Sequence, residues 1–467
     1  MISSLVLCFL AATLLPFGDW STGGTLRFDY FHSGIATEEH VSLDAIRAEG
    51  PWPGSRTQLL DDTNLGKYRF EVRDLETQTP LYSRGFASIY GEWETTGEAR
   101  RGVWRTFHES QRFPEPKAPA QLVLSKRDDA GGFREIFRCV VDPASRHVDR
   151  HPVRNRDDVW ALQDNGPPAT KVDLLVLGDG YTRDELDAYR VDVERMVGAL
   201  FATEPFASRK DDFNVWGIDV VSENSGISRP RAGDFRRTAL ELSFNALDSE
   251  RYLLTTANRT LRDIAAQAPY DAIMMIGNTR KYGGGGIFNL YATTASGSAQ
   301  AEYVFVHEMG HSFAGLADEY YTSQIAYESF YAEGEEPWEP NVTALRDPEE
   351  LKWSEFVDAN TPLPTPWDQD TYDEASVAYQ ERRAALRARH ASEEDVEALF
   401  DEVKRETTPM LRGETWFGHV GAFEGGGYQA KGLYRPEVDC IMFTRNPRDF
   451  CTVCRAAIER VIDLYAR

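Results

Sequence analysis

Positive charge is scarce in this chain of 467 residues: Lys and Arg number 51 against 75 Asp and Glu, leaving a net charge of −24. Polyanions are repelled at long range, so nucleic acid and anionic membrane are poor partners. No apolar run suffices for stable membrane insertion. The one candidate, Leu5 to Leu15, is about half the ~20 residues a spanning helix requires. It reads instead as the core of a secretory signal over residues 1–20, with Pro16-Phe17-Gly18 as a breaker, although basic residues and a small-x-small cleavage site are both missing there. A buried N-terminal strand is the competing reading.

Cysteine is also sparse. Cys8 would leave with the signal, and Cys139, Cys440, Cys451 and Cys454 would remain. A local disulfide from Cys440 to Cys451 or Cys454 suits an oxidising compartment. A structural zinc site competes with it, but the sequence offers no fourth ligand at a familiar spacing. Internal repeats and low-complexity tracts are lacking too. With 42% hydrophobic and 12% aromatic residues, the chain is globular and rich enough for one large core or two medium ones.

Its texture changes along its length. Residues 24–155 hold short β-branched or alternating runs, such as Tyr68 to Val72 and Gln121 to Leu124, separated by Gly, Pro and Asp clusters, which predicts an antiparallel β-sandwich. The polar stretch from Arg154 to Thr170 reads as a linker. From residue 170 to 467 strands and helices alternate: a strand at Val172 to Leu177, a helix opened by the capping box Thr182/Glu185, a strand at Phe213 to Val221, a helix over about Leu247 to Gln267 and a strand at Tyr270 to Ile276. The fold class is therefore α+β. Gly283 to Gly286 reads as a loop or lid, since the Lys-Ser/Thr pair and helix start of a phosphate cradle are absent, and Ile287 to Thr293 alternates like an edge strand. Residues 331–409 look inserted, with Ser392 capping a helix whose Val396, Leu399, Phe400 and Val403 share one face; the arginines 382, 383, 387 and 389 before it read as a solvated face.

The chemistry concentrates in His307-Glu308-Met309-Gly310-His311. Residues four apart share a helix face, so both imidazoles can reach one Zn²⁺ while Glu308 stands beside them. A catalytic zinc needs a third protein ligand and an open position. Gly315 supplies a turn and Asp318 and Glu319 follow it; Asp318 is the first choice, Glu319 the second, and Glu424 or His419 more distant alternatives. The carboxylate not used would orient a histidine. Such an ion would lower the pKa of a bound water to about 7, with Glu308 as its general base. Met442 is the candidate for a methionine turn beneath the metal, and Tyr320, Tyr428 and Tyr434 are candidate donors to an oxyanion.

These motifs together resemble the secreted bacterial zinc metallopeptidases named after an IgA peptidase. The resemblance is carried by Gly178-Asp179-Gly180-Tyr181-Thr182, the segment His307 to Tyr320, Gly421 to Gly425, Tyr434-Arg435-Pro436, and Asp439-Cys440-Ile441-Met442 with Cys451-x-x-Cys454. It implies a zincin-like, metzincin-like catalytic domain over residues 170–467 and an accessory β domain before it. It implies a zinc-dependent endopeptidase, secreted or periplasmic, acting on an extended peptide or protein, with His307 and His311 as ligands and Glu308 as catalyst. It does not imply that IgA is the substrate. A non-catalytic zincin-fold adhesion protein and a zinc hydrolase of a non-peptide substrate are the rival readings.

Overall fold

The computed structural model describes residues 15–153, 157–322, 331–332, 334–389, 391–446 and 449–467. The apolar core of the expected signal, up to residue 14, lies outside the described residues.

The β-rich N-terminal part is built from two four-stranded sheets. One runs Arg105–Pro116, Ser21–Gly34, Glu39–Pro51, Val148–Asp149, and the other Pro80–Phe86, Tyr68–Asp74, Ala120–Arg127, Phe133–Val141. Side chains alternate between faces along a strand, so Leu26, Phe28 and Tyr30 point inward from the first sheet to meet Phe70, Val72, Leu122 and Leu124 of the second. Phe28 and Phe70 stack across the gap at 6.3 Å between ring centroids. The intervening residues of Ser21–Gly34 face the rest of the chain. Arg27 is paired there with Asp29, Glu49 and Asp263, and Ser110 accepts from Asn258 at 2.8 Å.

The larger part is organised by a six-stranded sheet in the order Gly284–Ile287, Tyr291–Ala295, Ala272–Gly277, Val172–Asp179, Phe213–Ile218, Val159–Gln163. The inner four strands are parallel and both outer ones antiparallel to their neighbours. Val172–Asp179 is buried along its whole length, as a central strand covered on both faces must be. Thr182 and Glu185 form the capping box and lead through one 3-10 turn into the helix Leu186–Leu200.

Three elements depart from the sequence reading. Only Asn258–Ala265 of the expected helix 247–267 is α-helical. Before it the chain is held extended by bridges from Leu254 to Ser243 and from Tyr252 to Gly284, because Leu253 and Leu254 bury their side chains at the sheet edge. The segment read as a linker contains Val159–Gln163, the strand that closes the far edge of the sheet. The glycine tract is not a lid. Gly284–Ile287 is itself the edge strand, and the expected strand 287–293 is divided by a turn, its second half becoming the inner strand Tyr291–Ala295.

The inserted region ends in two long helices, Gln369–Ala388 and Glu393–Arg412, the second capped by Ser392. Val396, Leu399 and Phe400 are buried against Tyr282, Val304 and Tyr379, which seats this helix beside the helix Ala301–Ala314.

Candidate active site

The helix Ala301–Ala314 lies against the two strands at the glycine-rich edge of the sheet, and its approach is close. A Cβ at Gly284 would stand 2.6 Å from Val304 Cγ1, and one at Gly286 would stand 2.7 Å from the Glu308 carbonyl and 2.9 Å from His311 Cβ. Glycine therefore lets the edge strand press onto the helix beside Glu308. At its other end the helix stops at Gly315, whose φ of +62° is left-handed; the amides of Gly315 and Leu316 cap the carbonyls of His311 and Gly310. That reversal returns Asp318 to the helix face that carries both histidines.

Three atoms converge there. His307 Nε2 is 3.0 Å and His311 Nε2 3.2 Å from Asp318 Oδ1, and the two Nε2 atoms are 3.1 Å apart. Each imidazole is held by its other nitrogen, His307 Nδ1 at 3.0 Å from the Ile441 carbonyl and His311 Nδ1 at 2.6 Å from the Leu316 carbonyl. A carbonyl can only accept, so both rings carry their hydrogen on Nδ1 and turn an Nε2 lone pair toward Asp318. Among the described residues no hydrogen-bond donor is assigned to the buried Asp318 Oδ1, while Oδ2 accepts from Tyr428 Oη at 2.6 Å. Two imidazole lone pairs and an orphaned carboxylate oxygen at this spacing fit a divalent cation. Burial pulls His311 down, but without a cation Asp318 outweighs it and holds the imidazole up at about 9, a proton on Nε2 then standing where the bond to a cation would; burial raises the Asp318 carboxyl, and the histidines drive it well below the usual carboxylate range. The Glu308 carboxyl is pushed up by burial, with His307 and His311 opposing.

The floor of the site comes from a distant segment. Cys440 accepts from the amides of Phe443 and Thr444, closing a tight turn that carries Met442. Met442 is fully buried beneath the helix, its sulfur 3.1 Å from where a Cβ of Gly310 would lie. Its carbonyl accepts from the Glu319 amide at 2.9 Å, so the turn and the returning chain are tied together.

The remaining expected site residues divide. Tyr320 and Tyr428 line the cleft; the Tyr428 hydroxyl is committed to Asp318, and the Tyr320 hydroxyl accepts from Arg251. Tyr434 lies outside the cleft lining, with its backbone paired to Thr343. Glu319 points away from the histidines, so it neither joins them nor orients them: Oε1 accepts from Asn341 Nδ2 and sits 3.4 Å from Cys454 Sγ. Successive side chains of an extended chain face opposite ways, which separates it from Asp318. Glu424 is engaged by Lys431 and the Gly432 amide, and the exposed His419 faces Asp358. The expected disulfide is not formed: Cys440 and Cys454 sulfurs are 3.9 Å apart and both, with Cys451, are free thiols.

Sequence reasoning missed two residues. Tyr303, one turn before His307 on the same face, places its hydroxyl 3.3 Å from His307 Nδ1 and donates to the Ile441 carbonyl. Its i−4 spacing was a usable signal. Arg251 was hidden in the segment expected to be helical.

The chain is matched over residues 160–462 by the family model described as IgA Peptidase M64, and over residues 16–138 by the one described as Peptidase M64 N-terminus. No curated protein matches it.

Proposed function

Because the chain belongs to the M64 peptidase family and is a metallopeptidase acting on peptide bonds, we propose that it is an exported, zinc-dependent endopeptidase in which Glu308 is the general base. The reading is carried by one observation: His307 Nε2, His311 Nε2 and Asp318 Oδ1 meet at about the separations a single ion requires. Zinc is preferred over harder ions because two of the three ligands are imidazoles. When bound there, it would supply a water of lowered pKa and polarise the scissile carbonyl.

The rest is done by the chain. Glu308 takes the proton of the attacking water and delivers it to the leaving nitrogen, and partial burial strengthens its hold on that proton between the two transfers. Arg251 and Tyr320, paired on the cleft wall, would donate to a developing oxyanion. The edge strand Gly284–Ile287 positions substrate. Its outer side is used at Gly284 by Arg251 and Leu253; by the alternation of an antiparallel pair, Gly286 turns its amide and carbonyl the same way, toward the cleft it lines. An extended peptide can add there as a further strand. Export rests on the apolar run Leu5 to Leu15.

Glu308→Gln is the test. It should retain the wild-type metal content while cleavage of a mixed peptide pool falls by about 10² to 10⁴. Equal cleavage by the two proteins would overturn Glu308 as the base, and no cleavage by the wild type would favour a binding protein of the same fold.

A further inference from the structure

A second cluster of metal-ligating side chains lies behind the turn that carries Asp318. Cys451 is the N-cap of the last helix, Thr452–Tyr465, and Cys454 lies in its first turn, so the C-x-x-C spacing brings both thiols to one helix end. Cys440, at the head of the Met442 turn, accepts from the Cys451 amide at 3.3 Å. The fourth member is Glu319, 135 residues before Cys454 in the chain. That distance is why no familiar ligand spacing appears in the sequence.

Two of the cluster's edges match those of a tetrahedral zinc site. The three sulfurs and a Glu319 oxygen all lie within 4.8 Å of one another. Cys440 Sγ and Cys454 Sγ are 3.9 Å apart, and Cys454 Sγ is 3.4 Å from Glu319 Oε1. Zinc bonds of ~2.3 Å to sulfur and ~2.0 Å to oxygen give tetrahedral edges of roughly 3.8 and 3.5 Å. A disulfide would need sulfurs at about 2.05 Å. All four residues are buried, Cys440, Cys454 and Glu319 at 0% exposure.

Glu319 supplies independent evidence. Asn341 fixes its Oε1, yet among the described residues no hydrogen-bond donor reaches its buried Oε2, an arrangement that is costly unless a cation or proton is supplied. Arg435 is also fully buried, donates to the carbonyls of Glu424, Gly425 and Val438, and is close enough for its charge to act on Glu319. A zinc ion bound by three thiolates and one carboxylate carries net negative charge, which this guanidinium offsets.

We propose that Cys440, Cys451, Cys454 and Glu319 bind a second zinc ion in a closed site that pins the Asp318–Glu319 turn and the Met442 turn to the last helix. Binding displaces the thiol protons to solvent, with no change of oxidation state. Four protein ligands leave no open position, so the ion is structural. It braces the catalytic floor, because Glu319 adjoins Asp318 and its amide is bonded to the Met442 carbonyl.

The full chain carrying His307→Ala and His311→Ala isolates this site from the catalytic one. The wild type should hold two zinc ions per chain, and the double variant one. X-ray absorption at the zinc edge of the double variant should show sulfur neighbours at about 2.3 Å. Titration with a mercurial should release that ion as the three thiols react, and Cys454→Ser added to the double variant should abolish stoichiometric binding. The mercurial and absorption measurements keep the question decidable if Cys454→Ser fails to fold. A zinc-free double variant, a zinc signal without sulfur, or a disulfide mapped between two of the three cysteines would each overturn the proposal. None of these outcomes touches the catalytic assignment, which rests on the ion lost with the two histidines.

Discussion

Gly286→Ala puts the close approach of the edge strand to the site helix under test. A methyl group at Gly286 would lie 2.7 Å from the Glu308 carbonyl oxygen, 2.9 Å from His311 Cβ and 3.2 Å from Glu308 Oε2. Ordinary contacts begin near ~3.5 Å, so strand and helix must separate by somewhat less than ~1 Å. Two of the obstructing atoms belong to the helix framework and cannot rotate away. Overpacking of this kind costs about 1–3 kcal/mol, and displacing Glu308 by that distance should lower kcat/KM by about 10²-fold. Gly285→Ala is the matched control. Its methyl group would face the opposite side of the sheet and meet the end of the Leu254 side chain at 2.8 Å, which can turn aside. Peptide cleavage, calorimetric Tm and zinc content would be measured on both. Gly286→Ala should lose activity far beyond its loss of Tm, while Gly285→Ala should lose little of either. If the two cleave equally well, the glycines are not there to admit the helix, and the argument for the tract fails.

Three further outcomes are expected. Tyr428→Phe removes the 2.6 Å hydrogen bond to Asp318 Oδ2 and should weaken metal affinity by about 10- to 100-fold in a chelator competition; unchanged affinity would leave Tyr428 a packing residue. Phe400→Ala, at 4% exposure beside the cleft, should cost about 3–5 kcal/mol in denaturant unfolding; a loss well below 1 kcal/mol would mean that this helix is not seated on Tyr282 and Val304. His32 tests the sandwich: burial lowers the buried imidazole, but Glu109 and Glu39 outweigh it and hold it up at about 9. Its proton is bound more tightly in the folded chain than at the ordinary value of about 6.5, so its stabilisation is complete below that pH and is lost as pH rises through about 9. Tm should therefore fall across this window in the wild type and much less in His32→Gln; parallel curves would refute the assignment.

Local sequence carried much of the site. Helical periodicity alone places His307 and His311 on one face with Glu308 beside them, and a glycine after the helix announces the reversal toward Asp318. The largely apolar run Val172 to Leu177 identifies a strand, and Thr182 with Glu185 marks a helix start, because such signals depend only on near neighbours. The glycine tract misled for a physical reason. Glycine is disfavoured in strands, and its use at Gly284 and Gly286 is explained by the helix pressed against them, whose contacting residues come from a separate element later in the chain. Arg251 was obscured similarly, since the bridge from Tyr252 to Gly284 overrides any local helical preference.

Local sequence therefore sets the chemistry available and the faces on which near neighbours stand: a histidine pair, an adjacent acid, a turn, two carboxylates in succession. Tertiary structure decided which carboxylate serves which centre. The Ile441 carbonyl that orients His307 lies 134 residues away, and the Tyr428 hydroxyl that holds Asp318 lies 110 residues away. Packing of the Met442 turn and the last helix also sent Glu319 to the cysteines rather than the histidines. No periodicity or spacing encodes such contacts, because they depend on how separate elements dock and not on the conformation of any one of them.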